Sequence, residues 1–495
     1  MRKSATRGTG ETMSEDLYQM TASEAVRRLN AGEVSPSDLV EAALARIAAT
    51  DKHLNALPTL CPERARAHAR RIETERRQGT ARPRGWLGGL PVSIKDLTPV
   101  AGVRTTYGSP IYADNVPAES DILVETLEAN GAIVIGKSNT PEFGAGASTF
   151  NEVFGKTRNP WNVAKSCAGS SGGAAASVAA GQVWLAHGSD LGGSLRTPAS
   201  FCSVVGLRPS PGRVPRGPVP LPFSSLLVNG PMARTVLDVA LCLDAMTVDH
   251  PRDPLALPPP AKPFAQSVRE ARPPRRIAWS LDLGLFPVDK EVATICERAL
   301  RHFAEMGVMV EEAEPDLHDA IEIFQTLRAT KFAAERAELL RTHRDKLKPE
   351  VVWNIEKGLR LDGEAIGRAE IARGALYDRV CRFFERYDLL VCPTAIVPPF
   401  DVDVRYVEEV DGVRFDNYVA WIGITFALTL TACPVVSVPA GFTTKGLPVG
   451  LQIMAPPRAD AAALAAAELL EQVSGIAKRL PIDPLATDGT ELPLS

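Results

Sequence analysis

The sequence predicts an α/β protein, and three observations predict it. From about Leu90, short apolar runs ("LPVSI", "AIVIG", "VWLAHG", "SVVGL") alternate with helical or glycine-rich stretches, as in a sheet covered by helices. Buried-strand patterns return in the last third as "LLVCPT", "VVSVPAG" and "PVGLQIM". With 495 residues, 45% hydrophobic and 23% charged, the chain is long enough to bury a large core.

The start, "MRKSATRGTGETMSED", is basic and polar with no apolar stretch behind it, which predicts a disordered tail over 1–15 rather than a secretory signal. Thr21 followed by Glu24, and Ser35-Pro36 followed by Asp38, are N-cap signals, and "SDLVEAALARIAA" repeats apolar residues at helical spacing. "SDILVETLEAN" also has helical spacing and Gly131 suits its end, so "AIVIG" reads as a core strand at 132–135, followed by a polar loop to Thr140-Pro141. Residues 249–264, "DHPRDPLALPPPAKPF", are too proline-rich for a regular element and mark a surface connection. Beyond them "RRIAWS" and "GVMVEEAE" read as strands and residues 317–386 as charged helix. An alanine-rich helix is expected from Ala461, with Asp460 as its N-cap.

Asn417 to Thr444 carries no charge and is long enough to span a bilayer, but Pro434 and Pro439 interrupt it. A helix of about 14 residues ending before Pro434, then a buried strand, fits the proline spacing better, so no membrane partner is expected. A net charge of -4 lacks the basic excess that phosphate binding favours, which argues against nucleic acid. Eight cysteines without a C-x-x-C pair point to reduced thiols and the cytoplasm. Seven dispersed histidines offer no ligand spacing, so no metal is expected.

Three stretches compete as chemical sites. "GAIVIGKSNT" matches the phosphate-loop pattern G-x-x-x-x-G-K-[ST], yet a β-branched strand occupies the place where the loop should be. "GSSGG", residues 169–173, places Ser171 in a G-x-S-x-G nucleophile elbow, as in an α/β-hydrolase esterase. It lacks the strand before it and a distinctive downstream histidine. In "HGSDLGGSLRTP" a strand runs into Asp190, Leu191, Gly192, Gly193 and Ser194, where glycines let successive N–H groups turn toward one point, as an oxyanion hole requires. A base for Ser194 is available in Lys95, which follows the buried run "LPVSI", where desolvation favours the neutral amine. A surface lysine paired with Asp96, and a simple turn at Gly192-Gly193, are equally open at this point.

Read together, "GLPVSIKDLTPVAGVRTTYGS", "GAIVIGKSNTPEF", "FGKTRNPWN", "AGSSGGAAASVAAG", "GSDLGGSLRTPASFCSVVGLRPS", "ACPVVSVPAGF" and "GLPVGLQIM" resemble the amidase signature family of serine hydrolases, in its order and at its spacing. The resemblance runs from about residue 16 to 475. It implies a large mixed, twisted sheet flanked by helices on both faces, in a single domain over 16–490. Within it lie a signature core at 85–245, the connection at 249–264 and a helical, substrate-shaping region at about 317–386. It implies a Ser–cis-Ser–Lys triad: Ser194 as nucleophile, Ser170 as relay serine after a cis peptide, and Lys95 as base. The N–H groups of Leu191, Gly192, Gly193 and Ser194 would form the oxyanion hole, supported by Ser171, Asp190 and Arg196. The pocket would be lined by the loop after "TPEF" (Gly144, Ala145, Gly146), whose small residues leave room for a bulky acyl or aryl group.

The implied activity is cofactor-free hydrolysis of amide C–N bonds in small molecules through an acyl-enzyme, by a monomer or homodimer. Carbamates (urethanes, through a carbamoyl-enzyme) and aryl esters are accessible to the same chemistry. The alternative within the resemblance is the glutamine-hydrolysing component of a tRNA-dependent amidotransferase complex. Ala168, after Cys167, stands where many relatives have glycine. Cys167 has no base beside it and reads as a small core residue.

Overall fold

The computed structural model describes residues 17–78 and 82–494, so the expected tail over 1–15 lies outside the described residues. Its centre is an 11-stranded sheet. In chain order the strands are β1 Thr59–Leu60, β2 Leu90–Lys95, β3 Ala132–Ser138, β4 Leu185–Asp190, β5 Val205–Arg208, β6 Val228–Ala233, β7 Arg276–Trp279, β8 Met309–Glu312, β9 Leu389–Pro393, β10 Val435–Phe442 and β11 Pro448–Met454. Their order across the sheet is β1-β3-β2-β4-β6-β5-β10-β11-β9-β7-β8. Pairing is parallel from β3 through β2 to β4 and again from β9 through β7 to β8, and antiparallel elsewhere. The sheet is therefore mixed.

Helices follow as α1 Ala22–Ala31, α2 Pro36–Leu54, α3 Pro62–Arg77, α4 Ile122–Ala129, α5 Gly172–Ala179, α6 Arg196–Cys202, α7 Val236–Met246, α8 Phe264–Arg269, α9 Lys290–Glu305, α10 Ala320–His343, α11 Pro349–Leu359, α12 Gly363–Phe383, α13 Gly423–Leu430 and α14 Asp460–Ser474. Both N-terminal caps form as expected. The Thr21 side chain accepts the Glu24 N–H, and Ser35 with Asp38 makes a reciprocal capping box.

Period-two alternation along the strands feeds two cores. In β9, Leu389 and Val391 join the cluster that holds α9 and α14, whereas Leu390 and Cys392 join the cluster that holds α10, α12 and α13. Helices thus cover both faces, and the sheet's far half is apolar on each side.

Three expectations need correction. The strand after Gly131 continues to Ser138, so Lys137 is not in a loop. It is a wholly buried strand residue whose Nζ donates to Thr98 O at 2.6 Å and Thr105 Oγ1 at 2.7 Å. The uncharged stretch before Pro434 forms a 3-10 turn at Ala420–Ile422 and then only the eight-residue α13, because Ala432 takes a left-handed φ of 55° and ends the helix early. No described helix is long and apolar enough to cross a membrane. Asp460 is the first residue of α14 rather than its cap, since its carboxylate is drawn to Ser210, accepting from the backbone N–H at 2.8 Å and from Oγ at 2.9 Å.

Candidate active site

Lys95 ends β2, a strand whose six residues are all buried between β3 and β4. Its amine is therefore shielded from bulk solvent and donates to hydroxyls and a carbonyl: Ser170 Oγ at 2.7 Å, Ser171 Oγ at 2.8 Å, Ser189 Oγ at 3.1 Å and Ser189 O at 3.4 Å. Burial pushes its pKa well below the ordinary 10.5, against an opposing pull from Asp190. Asp96 does not pair with it. The Asp96 carboxylate turns to Lys137, 3.5 Å away, and accepts the Thr106 N–H, which disposes of the surface-pair alternative.

The Gly169–Ser170 peptide is cis. Here the chain leaves a two-stranded ribbon, Arg158–Asn159 with Asn162–Ser166, and enters α5. The two serines then diverge. Ser170 stands on the wall of a cavity of about 400 Å³. Ser171 is wholly buried, with its Oγ accepting the Ser189 N–H and the Lys95 amine. A helix does follow Ser171, but no strand of the central sheet leads into it, no histidine lines the cavity among the described residues, and its hydroxyl is buried, so it does not form a nucleophile elbow. Cys167 is likewise sealed in the core, its thiol pushed up to about 12 by burial.

The loop from Asp190 to Ser194 is fixed from below. Arg196 uses all five N–H donors: two on the Asp190 carboxylate at 3.1 Å, one each on Thr425 O (2.9 Å), Gln452 Oε1 (3.0 Å) and Thr429 Oγ1 (2.8 Å). Arg208 adds a bond to the Asp190 carbonyl at 2.7 Å. Burial disfavours ionisation of Asp190, but the two guanidiniums overcome it and hold the carboxyl far below the usual range. Asp190 then orders the loop by accepting the Gly193 N–H at 2.9 Å and the Leu195 N–H at 3.1 Å.

That contact revises the expected oxyanion hole. The Gly193 N–H is committed to Asp190, whereas the N–H groups of Leu191, Gly192 and Ser194 have no acceptor among the described residues. Gly193 matters through its shape. At φ 121° it needs a glycine, and a Cβ there would lie 2.2 Å from Thr425 Oγ1. Ser194 is partly exposed on the same cavity wall as Ser170, and its carbonyl accepts the Ser171 N–H at 3.2 Å, tying the two loops together. No hydrogen bond joins Ser194 Oγ to Ser170 among the described residues.

Gly144 and Gly146 line the cavity, as expected, and a Cβ on Gly144 would come within 3.3 Å of Ser170 Oγ. Ala145 does not. Its side chain packs into a small apolar cluster with Phe332 and Leu347, and its carbonyl accepts Lys348 Nζ at 2.6 Å. Tyr107, Tyr112 and Phe143 supply much of the aromatic wall. Ser189, Arg208, Thr425 and Gln452 act as supports that sequence reasoning missed. Arg208 and Gln452 stand inside signature stretches, but only the sheet order brings them to Asp190 and Arg196.

The Amidase family profile matches residues 38–464. An acylamidase of Rhodococcus erythropolis is 35% identical over 475 residues, covering 95% of this chain and 99% of the relative. A glutamyl-tRNA(Gln) amidotransferase chain of Moorella thermoacetica is 33% identical over 490 residues, 94% of this chain and 99% of that one. Among solved structures, a bacterial aryl acylamidase belonging to the amidase signature family superposes with a TM-score of 0.86 at 29% identity, covering 96% and 99% of the two chains.

Proposed function

The chain belongs to the amidase family of C–N hydrolases, and from that premise we propose that it cleaves small-molecule amides through an acyl-enzyme on Ser194, with Ser170 as proton relay and Lys95 as base. The observation that carries this reading is the buried Lys95 amine 2.7 Å from Ser170 Oγ, on a cavity wall that also bears Ser194.

In the first step Ser194 Oγ attacks the substrate carbonyl while its proton passes to Ser170 and the Ser170 proton passes to the neutral Lys95. The developing oxyanion is received by the free amides of Leu191, Gly192 and Ser194, held by Asp190 beneath them. The proton returns along the same path to the leaving amine. Water repeats the sequence and frees Ser194. A carbamate or aryl ester presents the same carbonyl, and a carbamate would leave Ser194 carbamoylated.

The kinship with a glutamyl-tRNA(Gln) amidotransferase chain supports a second reading, glutamine hydrolysis within a larger complex. A panel of anilides, aliphatic amides, aryl carbamates and glutamine separates the two: turnover confined to glutamine, with partner proteins copurifying, would replace the first reading. Labelling with a fluorophosphonate tests the residue roles. The adduct is expected on Ser194, and an adduct on Ser171 with Ser194 free would overturn the assignment.

A further inference from the structure

Helix α10 turns a charged face to the cavity. Phe324, Arg328 and Phe332 follow one another at four-residue spacing, with Lys331, Glu335 and Arg336 on the same side. Such a face is costly in a pocket meant only for an aryl or alkyl group, because each buried charge loses its hydration.

The charges do not balance. Four cations line the cavity, Arg216, Arg328, Lys331 and Arg336, against two carboxylates, Asp121 and Glu335. Glu335 is shared between Lys331 and Arg336, and Arg336 Nε is left buried without a partner. Asp121 is occupied at the start of α4, accepting the Leu123 and Gly217 N–H groups. Arg216 donates through Nη2 to the carbonyls of Ser224 and Leu221. Arg328 is only 6% exposed and donates to the neutral Asn354 Oδ1. It lies over the rings of Phe332 at 4.9 Å and Tyr418 at 5.4 Å, with no carboxylate in ion-pair range among the described residues.

The helix also sets the distance. Phe324 packs on the oxyanion loop, its Cζ 2.9 Å from where a Gly192 Cβ would lie. Arg328 stands one turn further on, about 5–6 Å along the axis, and Lys331 and Arg336 lie on the next two turns. We propose that the amide cleaved at Ser194 carries a carboxylate several bonds from the scissile carbonyl, seated against Arg328 and the α10 cations. A buried guanidinium without a counter-charge is the group that gains most from such a charge-assisted pair. This rests on the amidase reading and narrows its substrates to anionic amides.

Two matched pairs test it with the full chain: adipic acid mono-anilide against heptanoic anilide, and the phenylacetyl amide of aminovaleric acid against that of hexylamine. They place the carboxylate on the acyl or the amine side. The acid is expected to have the higher kcat/KM by about tenfold or more in at least one pair. That ratio should fall in Arg328→Gln, or in Lys331→Met if the first variant does not fold. Equal or better turnover of the neutral member in both pairs, or a ratio unchanged in the variant, overturns the proposal. If neither member of either pair is cleaved, it is the amidase reading that fails, and binding alone decides this one. Phenylbutyrate should then raise the unfolding temperature where phenylbutanol does not, and equal shifts would overturn it.

Discussion

Lys95 Nζ lies 2.7 Å from Ser170 Oγ at the end of a strand buried along its whole length. A base must be neutral to act, and burial lowers the pKa of this lysine from 10.5. In the proposed mechanism the neutral amine is the active form, so kcat/KM on an anilide should rise with pH through the depressed pKa and be lost below it. Replacing the base should cost about 10²–10⁴-fold, so Lys95→Ala should be nearly inactive with its circular dichroism unchanged. A fully active Lys95→Ala protein, or an acid limb no lower than that of an ordinary lysine, would refute the role of base.

Gly193 shapes the loop through its backbone, and its N–H is donated to Asp190. Gly193→Ala places a Cβ 2.2 Å from Thr425 Oγ1 in a left-handed backbone. The loop must shift, and with it the neighbouring amides of Leu191, Gly192 and Ser194. Misalignment of these proposed oxyanion donors should lower kcat by about 10²–10³-fold, with KM moved far less. A kcat within threefold of wild type would show that the loop tolerates the shift.

What was legible in the sequence is what chain neighbours decide. The caps at Thr21 and Ser35, the apolar run ending in Lys95, and the Asp190–Ser194 loop each carry their physics within a few residues. Other features depend on strands far apart in the chain. Lys137 looked like a loop lysine because its partners, Asp96, Thr98 and Thr105, come from the segment after β2. Gln452 supports Arg196 only because β11 and α13 meet beneath α6. The charged face of α10 was visible as composition, but nothing local indicated that it would turn inward to the cavity.

The Lys137–Asp96 pair is wholly enclosed, so its partners depend on one another. Removing one leaves an uncompensated buried charge, a loss of about 3–5 kcal/mol. Lys137→Met should show this in urea unfolding, and adding Asp96→Asn should recover part of it. Burial lowers Lys137 to about 8, against an opposing pull from Asp96. Between about 8 and the unfolded value of 10.5 the folded chain has released a proton that the unfolded chain keeps. The stability advantage of wild type over Lys137→Met should therefore grow as pH rises through that window. An advantage that shrinks with pH would contradict the assignment.

Ala168, beside the serine motif, has φ 55°, a left-handed backbone that glycine adopts without strain. A left-handed backbone costs a residue with a Cβ about 1–2 kcal/mol. Ala168→Gly removes that strain but adds about 0.5–1 kcal/mol of unfolded-chain entropy, and losing the buried methyl costs up to about 0.8 kcal/mol. The terms nearly cancel, so the variant should unfold within about 1 kcal/mol of wild type. Ala175, equally buried but inside α5, offers the control. There the backbone is helical, no strain is relieved, and the glycine and methyl terms add to about 1.5–2 kcal/mol. Equal losses for Ala168→Gly and Ala175→Gly would mean that the left-handed turn carries no strain. A small loss at 168 beside a large one at 175 would show that alanine is tolerated there at the backbone's expense.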